Sequence, residues 1–110
     1  MSDSTFAHTP PPPYYAVIFT SQRTGEGRGY GAMAETMVSL ARTMPGFLGV
    51  ESVRDAAGCG ITVSYWASED AIRSWRLHID HLAAQDTGKS SWYAHYEVRV
   101  ARVERAYGSA

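Results

Sequence analysis

The middle of the chain, residues 47–71, reads FLGVESVRDAAGCGITVSYWASEDA. Two runs rich in β-branched and aromatic residues, 47–54 and 59–66, flank the segment 55–58, whose length and composition are typical of a turn between antiparallel strands. Ser68 then offers a side-chain oxygen that can cap a helix. Glu69 and Asp70 place negative charge in the first turn of that helix, where its dipole favours acids. The stretch therefore predicts a β-hairpin followed directly by a helix.

The segments before the hairpin predict a strand and a helix. Residues 14–21 (YYAVIFTS) are aromatic and β-branched, which suits a strand buried on both faces. After a glycine-rich loop, apolar residues recur at three-and-four spacing from Tyr30 to Met44, as in an amphipathic helix, and Pro45–Gly46 stops it.

The segments after the hairpin predict a second helix and a last strand. The helix capped by Ser68 carries an apolar stripe and can end at Gly88, and residues 93–104 form a long strand. Val103 falls out of phase with Val98 and Val100, so we place a bulge near Ala101.

The order strand, helix, strand, strand, helix, strand predicts an α+β, ferredoxin-like βαββαβ domain. Two helices can cover only one face of its sheet. Ile61, Val63 and Tyr65 would line the other face, and the first strand is apolar on both sides. A second copy of the chain is the simplest cover, because two such sheets packed face to face by twofold symmetry bury both apolar faces. The expectation is a homodimer.

Composition and charge narrow the possible classes of protein. Of 110 residues, 45% are apolar and 19% are charged, which is typical of one globular domain, assigned to residues 14–107. Ten Lys and Arg against eleven Asp and Glu give a net charge of −1, so neither nucleic acid nor an anionic membrane is an expected partner. Cys59 is the single cysteine, and no apolar run is long enough to span a membrane. These features predict a cytoplasmic protein. Residues 1–13, which end in four prolines, are expected to form a disordered arm.

The second helix carries the most informative polar cluster. Because a helix turns about 100° per residue, His78, His81 and Gln85 lie on one stripe, with Trp75 beside His78. This pattern predicts a pocket between helix and sheet, in which imidazoles exchange protons near neutral pH. The alternative is structural, with one histidine half buried and the other solvated.

A metal site is the weaker interpretation of the same histidines. It would need a third ligand from His95 or Glu97, and we predict no metal. Trp92 and Tyr96 lie just before and within the last strand, where they could close the pocket or pack in the core and dimer interface.

Three segments, residues 44–51, 61–71 and 75–78, resemble the antibiotic biosynthesis monooxygenase family of dimeric α/β barrels. The resemblance rests on PGF at 45–47, on YW-x-S-E at 65–69 and on W-x-x-H at 75–78, and it extends over about residues 14–107. It implies two sheets packed into a barrel. The family includes oxygenases that use O2 without metal or flavin on quinol or anthrone substrates, and haem-degrading enzymes.

The resemblance also suggests roles for single residues. Trp66 corresponds to a tryptophan of the quinol-oxidising branch, although Thr62 stands where that branch has an asparagine. Trp75 resembles the helix tryptophan of the haem-degrading branch, but the haem-ligating histidine falls on Gln85. The chain contains no asparagine at all.

The resemblance thus implies a monooxygenase that needs no cofactor and acts on a small aromatic quinol or anthrone. His78 or His81 would be the base, with His78 facing the sheet, partly desolvated, and His81 nearer solvent. Trp66 would complete the catalytic set. The residues expected to contact substrate are Tyr65, Trp75, Gln85, Trp92 and Tyr96. The alternatives are a non-catalytic ligand-binding barrel and, third, a haem-binding or haem-degrading protein.

Overall fold

The computed structural model describes residues 6–23, 38–85 and 93–109, with the backbone alone at 80–85 and 93–94. The elements in chain order are β1 (Tyr14–Arg23), α1 (helical over the described residues 38–43), β2 (Phe47–Arg54), β3 (Cys59–Trp66), α2 (Glu69–Gln85) and β4 (Tyr93–Val103). The strands form one antiparallel sheet in the order β2-β3-β1-β4. This is the predicted ferredoxin-like arrangement. The predicted start of the first helix at Tyr30 and the predicted end of the second helix at Gly88 lie outside the described residues.

The hairpin and the helix cap confirm the sequence-based expectations. Asp55 closes the turn, since its backbone N–H donates to Cys59 O (2.9 Å) and its Oδ1 accepts from Cys59 N–H (2.9 Å). Gly58 adopts a φ of +94°, which glycine reaches without a Cβ penalty. At the start of α2, Ser68 Oγ accepts a hydrogen bond from Ala71 N–H (3.1 Å), as an N-cap does.

Strand β1 separates two faces of the sheet. Because successive side chains alternate, Tyr15, Val17 and Phe19 share what we term the helix face, and Tyr14, Ala16 and Ile18 share the second face. The core lies on the helix face. It comprises Val17, Ala41, Trp66 and Ile72, with Tyr15, Met44, Phe47, Ala71 and Trp75 packed against it.

The predicted bulge near Ala101 is wrong. The register of β1 with β4 runs without a break from Tyr14↔Val103 to Gln22↔His95, and it shifts only between Gln22 and Arg23. Val103 therefore lies on the second face. Its partner in the register is the buried Tyr14, so Val103 needs no bulge to find an apolar neighbour.

Part of the N-terminal arm, expected to be disordered over residues 1–13, contacts the second face through Ala7 and Thr9, while residues 1–5 lie outside the described residues. Ala7 N–H donates to Glu51 Oε2 (2.9 Å), and Thr9 Oγ1 donates to the hydroxyl of Tyr14 (2.9 Å). A Cβ added at Gly49 would stand 2.8 Å from Ala7 Cβ, so the glycine makes room for the arm. The carboxylate of Glu51 and the absence of a side chain at Gly49, both on β2, thus hold the arm in place.

Within the described residues, neither helix is long and apolar enough to cross a membrane.

Candidate functional site

An aromatic cluster joins the sheet to α2. Trp66 ends β3 and is 0% exposed, and its indole Nε1–H donates to Ser64 Oγ (2.9 Å). The ring of Phe47 packs edge-on to it at 5.4 Å between centroids, and the ring of Trp75 packs at 5.0 Å, tilted by 32°. The indole nitrogen, the polar atom of the Trp66 side chain, is therefore already hydrogen-bonded within the protein. Trp66 therefore acts as a fixed anchor behind the site rather than as an exposed group.

The helix face continues beyond this cluster as an apolar floor over β1 and β4. Phe19 lies opposite Val98 in the register, Val17 opposite Val100, and Ser21 opposite Tyr96. Although these side chains share the helix face, Tyr96 is 57% exposed, Val98 46% and Val100 51%. The rings of Phe19 and Tyr96 lie 5.6 Å apart. We call Phe19, Tyr96, Val98 and Val100 the β4 floor. An exposed apolar patch of this kind often marks a binding surface, so the β4 floor is the candidate ligand-binding surface.

Trp75 faces the core from α2. Its side chain is half buried, yet its indole Nε1 is fully buried and has no hydrogen-bond partner among the residues that the structure describes. Buried N–H groups are rarely left unpaired, so this one calls for a reason.

His78 does not face the sheet, which corrects the sequence-based expectation. Its side chain is exposed, and its Nδ1 lies 2.9 Å from the backbone oxygen of Ser74. The reason is the position of His78 around the axis of α2. Among the α2 residues whose side chains the structure describes, Ile72 is the most buried, and His78 stands about 120° from it around the helix axis.

The contact with Ser74 nevertheless fixes the chemistry of the imidazole. A carbonyl oxygen only accepts, so Nδ1 must carry the proton, and in the neutral ring Nε2 is left as the basic atom. His81 and Gln85 belong to α2, but their side chains lie outside the described part of the chain, as does all of Trp92.

Tyr65 does not share a cavity with Trp66, contrary to expectation. Neighbouring strand residues point to opposite faces, so Tyr65 lies on the second face. There its hydroxyl donates to Glu51 Oε1 (2.7 Å), the carboxylate that also holds the arm, and its ring meets Tyr14 edge-on at 5.8 Å. Burial, followed by the hydrogen bond and the negative charge of Glu51, raises the pKa of Tyr65 to about 12.

This raised pKa makes a testable prediction. The folded state favours the neutral phenol of Tyr65, so its stabilisation is complete below about pH 10 and is lost as the pH rises towards 12. An alkaline absorbance titration of tyrosinate should show one late component near pH 12. Tyr65→Phe should remove that component alone. If the component persists in Tyr65→Phe, it belongs to another tyrosine.

The histidine and carboxylate proposed as extra metal ligands lie away from α2. His95 Nε2 and Glu97 Oε2 are 2.9 Å apart and exposed, on the second face of β4. His78 is on the helix side, so these residues do not converge. Among the described residues, no group of three potential metal ligands comes together.

Sequence reasoning missed part of the floor. Phe19 was visible only as a member of an apolar strand, and its meeting with Tyr96 and Val98 depends on the β1–β4 register. Alternation within a strand assigns residues to a face, but it does not reveal which residues of distant strands lie side by side.

Comparisons with known proteins agree with this fold. Residues 13–87 match the model of a family described as antibiotic biosynthesis monooxygenase, and the chain belongs to this family. A curated relative, the uncharacterized protein YqjZ of Bacillus subtilis (strain 168), is 63% identical over 97 residues, which cover 88% of this chain and 85% of YqjZ.

Solved structures show the same fold at low sequence identity. SnoaB, a cofactor-independent oxygenase from Streptomyces nogalater, has a TM-score of 0.72 at 12% identity, over 89% of this chain and 100% of SnoaB. A variant of MhuD with two manganese protoporphyrin IX molecules per active site has a TM-score of 0.66 at 18% identity, over 86% of this chain and 99% of MhuD. At such identities, the similarity concerns the fold alone.

Proposed function

We propose that the protein is a cofactor-independent monooxygenase that acts on a small aromatic molecule of the quinol or anthrone type. The observation that carries the proposal is the β4 floor, an exposed apolar surface on the helix face beside the Trp66–Trp75 pair. Membership of the monooxygenase family and the fold shared with SnoaB support it.

The proposed reaction needs no external reductant. For an anthrone, the ring CH2 loses a proton to a base, and the carbanion passes an electron to O2. One oxygen atom then forms the new C=O, and the other leaves as water with the two substrate hydrogens. The substrate supplies all the electrons. The protein must provide a base and stabilise negative charge on the substrate.

His78 is the described candidate for the base. The hydrogen bond to Ser74 O leaves Nε2 unprotonated in the neutral ring, which is the state that can accept a proton. His81, on the same helix, remains the second candidate. Because His78 is exposed, its imidazole would meet the substrate on the solvent side of α2.

Oxygen uptake tests the proposal. With a panel of anthrones and hydroquinones, we expect enzyme-dependent O2 consumption with quinone formation in a ratio of one to one. His78→Ala should lower kcat by about 100-fold or more, the usual contribution of a general base, whereas Leu77→Ala, at a 69% exposed neighbouring position, should leave it unchanged. If His81→Ala abolishes turnover and His78→Ala does not, the base is His81.

A non-catalytic ligand-binding protein is the second candidate, and the exposure of His78 favours it. The same panel separates the two candidates, since a binding protein would saturate with ligand and consume no O2. We do not propose haem as a ligand of this protein. Gln85 stands at the haem-ligating position and an amide is a poor iron ligand, while the β4 floor presents neither imidazole nor thiolate.

We also propose that the protein acts as a homodimer through the second face. Ile61 and Val53 on that face are 43% and 74% exposed, and Ile18 and Val63 lie between Ile61 and the middle of the sheet. Sedimentation at micromolar concentration should give twice the chain mass of 12.1 kDa. Ile61→Lys, which places a charge in the apolar face, should shift the protein to monomer, whereas a wild-type monomer would exclude the barrel.

A further inference from the structure

Two hydroxyl groups border the β4 floor on the side of β2 and β3. Ser52 on β2 is paired with Thr62 on β3, and Thr62 is paired with Phe19 on β1. Because residues paired across neighbouring strands share a face, all three side chains lie on the helix face, with the Cβ atoms of each pair about 4.5–5.5 Å apart. Thr62 is therefore the direct cross-strand neighbour of a floor residue.

The two hydroxyl groups are bonded to each other. Ser52 Oγ and Thr62 Oγ1 are 2.7 Å apart, and either atom can be the donor. Each hydroxyl has one proton and two lone pairs, so the bond between them uses one proton and leaves the second for a further partner. Ser52 is exposed and Thr62 is half-buried. Together they can donate a hydrogen bond to a molecule that lies beside them.

This row of the sheet changes from polar to apolar along its length. Phe19 is paired with Val98 on its other side, so the row passes from two hydroxyl groups on β2 and β3 to two apolar side chains on β1 and β4. Neighbouring strands are about 4.8 Å apart. A ring system that covers both Phe19 and Val98 therefore brings its edge next to Thr62.

We propose that Ser52 and Thr62, which we call the hydroxyl pair, bind the carbonyl or phenolic oxygen of a ligand whose hydrocarbon rings lie on the β4 floor. Thr62 donates to the ligand oxygen, and Ser52 donates to Thr62. Ser52 is thus a positioning residue, because it orients the Thr62 hydroxyl and polarises its O–H bond. The inference rests on the proposed function and adds the groups that recognise the substrate oxygen.

The same contact assists the proposed chemistry. When an anthrone loses its CH2 proton, negative charge moves through the ring onto the carbonyl oxygen. The hydrogen bond from Thr62 to that oxygen becomes stronger as the charge develops, which lowers the barrier to proton removal. A hydrocarbon without the oxygen gains nothing from the hydroxyl pair.

Paired ligands test the inference by equilibrium dialysis without O2, so that no oxidation occurs. Anthrone carries the acceptor oxygen, and 9,10-dihydroanthracene has the same three rings without it. Thr62→Val keeps a β-branched side chain and removes the hydroxyl. It should weaken anthrone binding by about threefold to tenfold and leave dihydroanthracene binding unchanged. Ser52→Ala, which leaves Thr62 its own proton, should weaken anthrone binding by only about twofold.

Thr20→Val is the matched control, because it makes the same chemical change on the opposite face of the sheet. Thr20 lies on the second face, where it is paired with Ile61. The control should change neither affinity. If Thr62→Val binds anthrone as tightly as the wild type does, the hydroxyl pair has no part in recognition and the inference is wrong.

A second measurement does not depend on a variant being folded. In wild-type protein with 13C-labelled threonine and valine methyl groups, the ring protons of bound anthrone should give NOEs to the methyl groups of Thr62 and Val98, and none to that of Thr20. An NOE to Val98 without one to Thr62 would overturn the role of the hydroxyl pair and leave the β4 floor as the binding surface. Failure to bind either ligand would instead contradict the proposed function itself.

Discussion

Replacing Trp66 with alanine is expected to lower the free energy of unfolding by about 3–5 kcal/mol. The side chain is 0% exposed and packs against both Phe47 and Trp75, so its removal opens a cavity where the sheet meets α2. It also leaves the buried hydroxyl of Ser64 without the indole N–H that it accepts from. A domain of this size is stable by only about 5–15 kcal/mol, so the variant should lose a large fraction of its stability.

Urea denaturation followed by circular dichroism measures this loss. Trp66→Phe should lose less, because a ring still fills most of the space. Leu77→Ala, at a position that is 69% exposed, should stay within about 0.5 kcal/mol of the wild type. A loss below about 1 kcal/mol in Trp66→Ala would mean that Trp66 is not the anchor of the core.

Gly46→Ala is expected to cost about 2–5 kcal/mol, for two separate reasons. Gly46 has a φ of +89°, a left-handed conformation that costs other residues about 1–2 kcal/mol. The added Cβ would also stand 2.6 Å from the Cβ of Ala71, which is attached directly to the backbone of α2 and cannot turn away. Such overpacking costs about 1–3 kcal/mol. The Gly46 carbonyl accepts from Ala67 N–H (2.8 Å), so a shift here would disturb the start of α2.

Gly58→Ala is the matched control, because it isolates the backbone contribution. Gly58 has a similar φ of +94°, but the atom nearest to an added Cβ is Gln22 Nε2 at 3.1 Å, the end of a flexible side chain. It should cost only about 1–2 kcal/mol. Equal losses of unfolding free energy in the two variants would show that the contact with Ala71 relaxes freely.

Local signals in the sequence predicted the scaffold well. The hairpin has the predicted strands, Phe47–Arg54 and Cys59–Trp66, because its turn chemistry is contained in the segment 55–58. Ser68 caps α2 as predicted, for the same local reason. β1 continues beyond the predicted Ser21 to Arg23, since pairing with β3 and β4 extends it.

The candidate site was harder to predict, because it depends on long-range packing. A helical stripe shows that His78 lies near Trp75, but only the packing of α2 shows that the buried arc is centred towards Ile72. Tyr65 and Trp66 are adjacent in sequence and opposite in space. The arm carries no periodic signal, and its docking depends on Glu51 and Gly49, far along the chain.

The strand order has a consequence for biosynthesis. β1 is the first strand to be made and occupies the inside of the sheet, whereas its neighbour β4 is the last of the four, with Tyr14 paired to Val103. Until β4 emerges from the ribosome, one edge of β1 presents free amide and carbonyl groups to any passing strand. The nascent chain is thus exposed to mispairing until residues 93–103 have emerged, and closure of the β1–β4 ladder, a long-range contact, should set the pace of folding.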